Sequence, residues 1–132
     1  MYKLEYMIGN FVTVGYKYNK KDDGEVVKSD YYRKMQISSQ DKSKYGTVLR
    51  MEFFEDGKLL DEFKLGHIKT LYDTNGKELT KYLEFIEGKS KNVESWYVTK
   101  RERSGKVLEY EWQLYELGKN SSVNMMKAMR IE

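Results

Sequence analysis

The chain of 132 residues has no cysteine, no proline, one histidine (His67) and one alanine (Ala128). Each absence removes some chemistry. Without cysteine there is no thiol nucleophile, no disulfide and no thiolate zinc site. With a single imidazole, any Ser-His-Asp arrangement would have to use His67. That residue sits in Gly66-His67-Ile68-Lys69, between two predicted elements, where it reads as an ordinary loop or strand-end residue. No glycine pattern resembles a phosphate-binding loop, because the glycines are single and lie in turns. No apolar run approaches the ~20 residues of a membrane helix, and the first residues, MYKLEYMIGNFVTV, lack a signal-peptide layout. The expectation is a cytoplasmic, non-enzymatic protein with no cofactor, no metal and no membrane contact.

What is present is lysine, tyrosine and glutamate. Tyrosine alone accounts for 12 residues, and aromatic residues make up 14% of the chain, enough apolar surface to argue against disorder. The net charge is +3. Residues 1–66 hold 12 basic against 11 acidic side chains, and residues 67–132 hold 12 against 10. Neither half is a polyelectrolyte arm, so bulk charge favours solubility over nucleic-acid affinity. High Lys, Tyr and Asn with almost no Ala is the composition of an AT-rich genome, as in low-GC bacteria and their phages.

Along the chain the dominant period is two, the period of strands. Residues 3–18 carry alternating Leu4, Tyr6, Ile8, Val12, Val14, Tyr16 and Tyr18. Gly9-Asn10 marks either a hairpin or a bulge in one long bent strand. Residues 26–38 read as another strand and 38–44 as a loop. The next two strands flank Asp56-Gly57, and burying one face of each calls for a three-residue loop that sets Met51 against Phe63 and Leu49 against Leu65. Leu79, Tyr82, Leu83 and Ile86 fall at i, i+3, i+4 and i+7 with Gly88 after them, which predicts a helix over 77–87. Asn75-Gly76 argues the other way, as a hairpin signal. A last hairpin turns at Ser104-Gly105, with Tyr97 opposite Trp112, Thr99 opposite Tyr110 and Arg101 opposite Leu108. The predicted fold is mainly β (α+β): an antiparallel meander of six or seven strands forming a barrel or sandwich, with one short helix near 77–87. Residues 1–118 form the single domain, and 119–132 form a tail or short terminal helix.

Three constellations carry possible chemistry. Glu109 and Glu111 lie two apart on one strand and share a face, but Glu109 faces Lys100, so an ion pair explains it. Glu62-Phe63-Lys64 matches part of a nuclease pattern that Glu87-Gly88-Lys89 and Asp56-Gly57-Lys58 match equally well. The stretch 89–106 has six basic residues against two acidic ones, with Trp96 and Tyr97 inside it. Cations with interleaved aromatic rings suit either a protein surface or single-stranded nucleic acid. Trp96, Lys100, Arg101, Arg103 and Lys106 are therefore the candidate partner-binding residues. Met125, Met126 and Met129 add an adaptable apolar cluster.

These features lead to a small binding protein acting sterically on a host macromolecule, with a protein as partner. Phage-like composition makes a defence-system inhibitor, anti-CRISPR-like in role, the sharpest form of that expectation. A nucleic-acid-binding module using the 89–106 hairpin is one alternative. A small-ligand-binding barrel or a phage structural component is another.

Overall fold

The computed structural model describes residues 4–43, 46–88, 95–116 and 122–131. After a 3-10 turn at Leu4–Tyr6, eight strands follow: β1 Gly9–Lys20, β2 Val26–Ser43, β3 Gly46–Glu55, β4 Lys58–Tyr72, β5 Glu78–Gly88, β6 Ser95–Arg101, β7 Val107–Glu116 and β8 Ser122–Arg130. Each pairs antiparallel with the next, and β8 pairs with β1, so the sheet is a closed barrel. Turns 21–25 and 56–57 lie at one rim, here the upper. Turns 73–77 and 102–106 and the 3-10 turn lie at the lower rim.

Alternation decides what faces inward. Phe11 and Thr13 on β1, Met35 and Ile37 on β2, and Leu49, Met51 and Phe53 on β3 are buried. Leu83 on β5, Trp96 and Val98 on β6, Tyr110 and Trp112 on β7, and Met126 and Ala128 on β8 complete the core. At its centre the Trp96 and Trp112 rings stack at 3.8 Å and 12°. Tyr110 crosses the inside of β8 to reach the Phe11 ring at 5.5 Å. It passes Ala128, which is paired with Tyr110 on one side and Thr13 on the other. The chain's one alanine lies where a longer side chain would block that contact.

The lower end is plugged. Met7 is fully buried, and its carbonyl accepts a hydrogen bond from the Tyr110 hydroxyl at 3.0 Å. Arg130 donates through Nε to the Val107 carbonyl (2.7 Å) and through Nη2 to the Tyr6 carbonyl (3.2 Å), and it lies over the Phe11 ring. Gly105, at φ 104°, passes so close to Tyr6 that a Cβ there would lie 3.0 Å from the ring.

Several sequence expectations are corrected. Residues 78–88 are strand β5, not helix. Asn75-Gly76 forms the turn, with the Asp73 carboxylate accepting from the Asn75 and Lys77 amides at 2.8 and 2.9 Å. Beyond it nine residue pairs join β5 to β4. The helical stripe loses because β4 offers a complete ladder and Leu83 already alternates inward.

Residues 122–130 are not a tail or helix but the closing strand, with nine partners on β1 and eight on β7. The strand count is accordingly eight rather than six or seven. Gly9 begins β1 and marks neither a hairpin nor a bulge in one long strand, because Leu4–Tyr6 is a 3-10 turn, and β2 runs on through most of the expected loop to Ser43.

At Asp56-Gly57 both residues have positive φ (51° and 76°), giving a two-residue turn that pairs Glu55 with Lys58. A bulge then advances the register by two, so Met51 faces Lys64 rather than Phe63, and Leu49 faces Gly66 rather than Leu65. A shift of two preserves the faces, whereas a slip of one would exchange them. It therefore points Glu62 and Lys64 toward the interior. There Arg33 Nη1 donates to Glu62 Oε2 at 2.8 Å, and Lys64 lies over the Phe85 ring.

The stacked tryptophans make a direct test. Trp112→Ala should cost about 3–5 kcal/mol, because it leaves a ring-sized void beside Trp96. Urea unfolding of the variant should show a lowered midpoint, and an unchanged midpoint would place Trp112 outside the core.

Candidate functional site

The outer wall of β6, β7, β8 and β1 carries a surface groove. Cross-strand pairing places Tyr82, Tyr97, Glu111, Lys127 and Val14 in one continuous row. Below it runs Lys100, Glu109, Met129 and Val12. A groove of about 660 Å³ follows this wall, bounded by Tyr16 and Val14 at one side and Tyr97 and Thr99 at the other, with Glu111 and Lys127 between. Tyr16 and Tyr97 stand on strands three spacings apart, roughly 14 Å. Each ring is backed from outside the groove: Lys28 Nζ lies 4.7 Å from the Tyr16 centroid, and Tyr82 lies 5.3 Å from Tyr97.

Charges in the groove are paired. Lys127 Nζ meets Glu111 Oε1 at 3.2 Å, and the Glu111 carboxylate holds the lysine above its ordinary range. Beside them Glu109 is buried although it stands on the outer wall, covered by its neighbours. The ladder skips from Val98–Tyr110 to Lys100–Glu109, leaving Thr99 as a bulge. Both Thr99 and Lys100 therefore reach one carboxylate: Thr99 Oγ1 donates to Glu109 Oε1 at 2.9 Å, and Lys100 Nζ lies 3.6 Å from Oε2. Re-aiming a side chain in this way is a recurrent use of bulges. Burial pushes the Glu109 carboxyl up. The hydrogen bond from Thr99 and the positive charges of Lys100 and Lys127 outweigh that and hold it below the usual carboxylate range.

The residues expected to bind a partner are divided by the structure. Trp96 is fully buried in the core and offers nothing to a partner. The reason is register. Tyr97 pairs with Glu111, not with Trp112, and this offset of one turns Trp96 inward and Tyr97 outward. Tyr97, 39% exposed, is the aromatic residue that this strand presents at the surface. Arg101 and Arg103 are exposed at the lower rim, Lys106 is half-buried there, and Lys100 is engaged by Glu109. The turn that carries them is closed by Glu102 N–H to the Lys106 carbonyl (2.8 Å) and Gly105 N–H to the Glu102 carbonyl (2.9 Å). Lys89 and Lys91 lie outside the described residues. The pairing of Lys100 with Glu109, expected from the sequence, is present. Val14, Tyr16 and Lys127 were missed as site residues, because only closure of β8 onto β1 brings them to this face.

His67 stands on β4 opposite Glu84, four strands round the barrel from β8. Among the described residues no group of three or more His, Asp or Glu side chains is placed to hold a metal ion. No helix among them is long and apolar enough to cross a membrane.

The Glu109 network sets an acid limit. A carboxyl whose folded pKa lies below its unfolded value of about 4.3 contributes stability that is present above that value. The contribution is lost as pH falls through the folded pKa. Wild-type urea midpoints should therefore drop below about pH 4.3. Glu109→Gln should lose about 1–3 kcal/mol at pH 7 and show a shallower acid decline. Parallel pH profiles would place the acid-sensitive group elsewhere. No protein-family model, no curated protein and no solved structure matches the chain, so this face is read from its own geometry.

Proposed function

We propose that this is a small non-enzymatic binding protein that acts by occupying a surface of a partner protein through the β6–β7–β8–β1 wall. The observation that carries the reading is where the free space lies. The barrel centre is filled by Trp96, Trp112, Tyr110 and Phe11, while the 660 Å³ groove is outside, between two tyrosines that are already backed. Tyrosine offers a large, stiff contact at low entropic cost, and such residues dominate protein interfaces. A filled centre speaks against a barrel built for a small apolar ligand.

The paired charges bear on partner class. Lys127 is engaged by Glu111 and Lys100 by Glu109, so the wall presents donors and acceptors with little net charge. A polyanion gains most from unpaired cations, whereas a protein surface uses a mixed-charge face for register and specificity. Arg101 and Arg103 at the lower rim favour nucleic acid as the second reading. Inhibition of a host defence system by a phage-encoded protein is the sharpest form of the first, and composition supports it.

The test is capture of a partner protein from cell lysate by the immobilised protein, repeated with Tyr16→Ala and Tyr97→Ala. Each variant should weaken capture at least about tenfold, the equivalent of ~1.4 kcal/mol, and raised salt should leave most of the wild-type affinity. Arg101→Glu with Arg103→Glu is the suitable charge reversal. Lys100→Glu is not, because it sets a second carboxylate against Glu109. Steeply salt-dependent binding of single-stranded DNA or RNA, with a log–log slope of roughly 0.7 per phosphate contact, would overturn the protein-partner reading.

A further inference from the structure

Closure of the barrel still leaves a stretch of strand edge at the upper rim. β1 is covered by β8 as far as Asn19–Ser122, and β2 pairs with β1 from Val26 to Ile37. On its other side β2 first meets β3 at Lys34–Phe54. Among the described residues, therefore, 26–33 have a paired strand on one side only. They stand above the 56–57 turn as half of a hairpin arm. The arm's own turn is held by the Lys21 amide on the Glu25 carbonyl (2.7 Å) and the Gly24 amide on the Lys21 carbonyl (2.9 Å). Lys28, Ser29 and Asp30 are exposed on this stretch, as are Val26 (60%) and Tyr32 (63%).

Residues 26–32 read VVKSDYY, a sequence complementary to its own reverse about Ser29. Two such strands laid antiparallel set Lys28 opposite Asp30, Val27 opposite Tyr31 and Val26 opposite Tyr32, each pair occurring twice. Opposite charges and aromatic–β-branched pairs are the cross-strand combinations that stabilise a sheet. Moving the centre to Lys28 or to Asp30 would instead set like charges face to face, so the chemistry selects one register. Lysine on an edge ordinarily discourages pairing; here a carboxylate two residues further on answers it. Within the chain Lys28 Nζ rests over the Tyr16 ring at 4.7 Å, and Asp30 has no ion pair among the described residues. The length fits as well. The edge is free down to the Lys34–Phe54 rung, which leaves room for residues 26–32 of a second strand.

We propose that this edge is a dimer interface, at which β2 of a second copy adds antiparallel about a two-fold axis at Ser29. Unpaired edges recruit a strand through main-chain hydrogen bonds. A two-fold contact requires one patch that is complementary to itself, and the 26–32 edge meets that requirement. Pairing consumes the free edge of both copies, so the assembly closes at two. The contact lies on the side of β2 away from β1, which leaves the groove open and gives the dimer two of them. The inference does not depend on what the groove binds.

The experiment is sedimentation equilibrium of the full-length protein over a concentration series, with amide exchange followed by NMR at low and high concentration. A monomer–dimer equilibrium is expected, with exchange slowing at amides within 26–32 as concentration rises. Asp30→Lys or Lys28→Asp alone should weaken dimerisation at least about tenfold, because each sets like charges opposite one another twice. Lys28→Asp combined with Asp30→Lys should restore it to within about threefold of the wild type. Tyr97→Ala, in the groove and distant from the edge, should change it less than about twofold. A protein that stays monomeric up to about 1 mM would overturn the proposal. So would a dimer indifferent to the single reversals, a double variant no better than the singles, growth beyond two copies, or protection confined to residues outside 26–32. Each of those results leaves the groove reading standing, and failed partner capture leaves the dimer standing.

Discussion

Every other feature of this structure depends on the ladder between β8 and β1. Its nine residue pairs close the sheet, and without them the inner faces of both strands would lie at an open edge. Closure removes two strand edges from solvent, which in a chain without proline is the surest protection against edge-to-edge association. It also brings Ala128 between Tyr110 and Thr13, which lets the Tyr110 ring reach Phe11. On the outer side the same ladder sets Val14 beside Lys127, and the groove is a direct consequence of that adjacency. Arg130, near the end of β8, fastens the last strand to Val107 and Tyr6 at the lower rim.

Bulges do the remaining positioning, and their effect depends on whether they change the register by one or by two. The two-residue advance between β3 and β4 keeps the faces and draws Lys64 inside opposite Met51. The interior is therefore polar on this side, where Arg33 and Glu62 pair at 2.8 Å and Thr13 donates to the Arg33 carbonyl at 3.0 Å. Burial pushes the neighbouring Tyr31 phenol up, which keeps it neutral beside this pair. Such a pair is better evidence for a specified arrangement than for net stability, since desolvation offsets much of its attraction. The single-residue bulge at Thr99 acts on one side chain. It converges a hydroxyl and an ammonium on Glu109 and makes burial of that carboxylate tolerable.

The period of two was legible in the sequence, and the β class follows from it. Register was not. The last hairpin shows why. Its turn and both strands were readable, and so was the burial of Trp112 and Tyr110. The exchange of Trp96 for Tyr97 at the surface came from one residue of offset that composition does not encode. In β8 the alternation is masked because methionine occurs on both faces: Met126 is buried and Met129 exposed. For β5 two local signals conflicted, and the ladder waiting on β4 decided between them. The basic cluster at 100–106 was visible because it is contiguous. Tyr16 and Lys127 were not, because they are neighbours only once the barrel closes.

The polarity of the two surfaces also bears on what the barrel can do. Apolar and aromatic residues fill the inside, while Lys34, Gln36, Glu84, Glu111 and Lys127 stand outward. A membrane-spanning barrel has the reverse arrangement, with an apolar band outside and a polar lumen. With the inside committed to packing, the proposed partner binding falls to the wall. Paired charges also occur elsewhere on the wall, at Arg50–Glu52 and Lys81–Glu78. On the β6–β7–β8–β1 side the pairs lie between two backed tyrosines. A partner meeting that side finds polar groups already in fixed positions, and less side-chain freedom is lost on contact. The combination of such pairs with a groove between two backed tyrosines, more than the sign of the charge, marks this face.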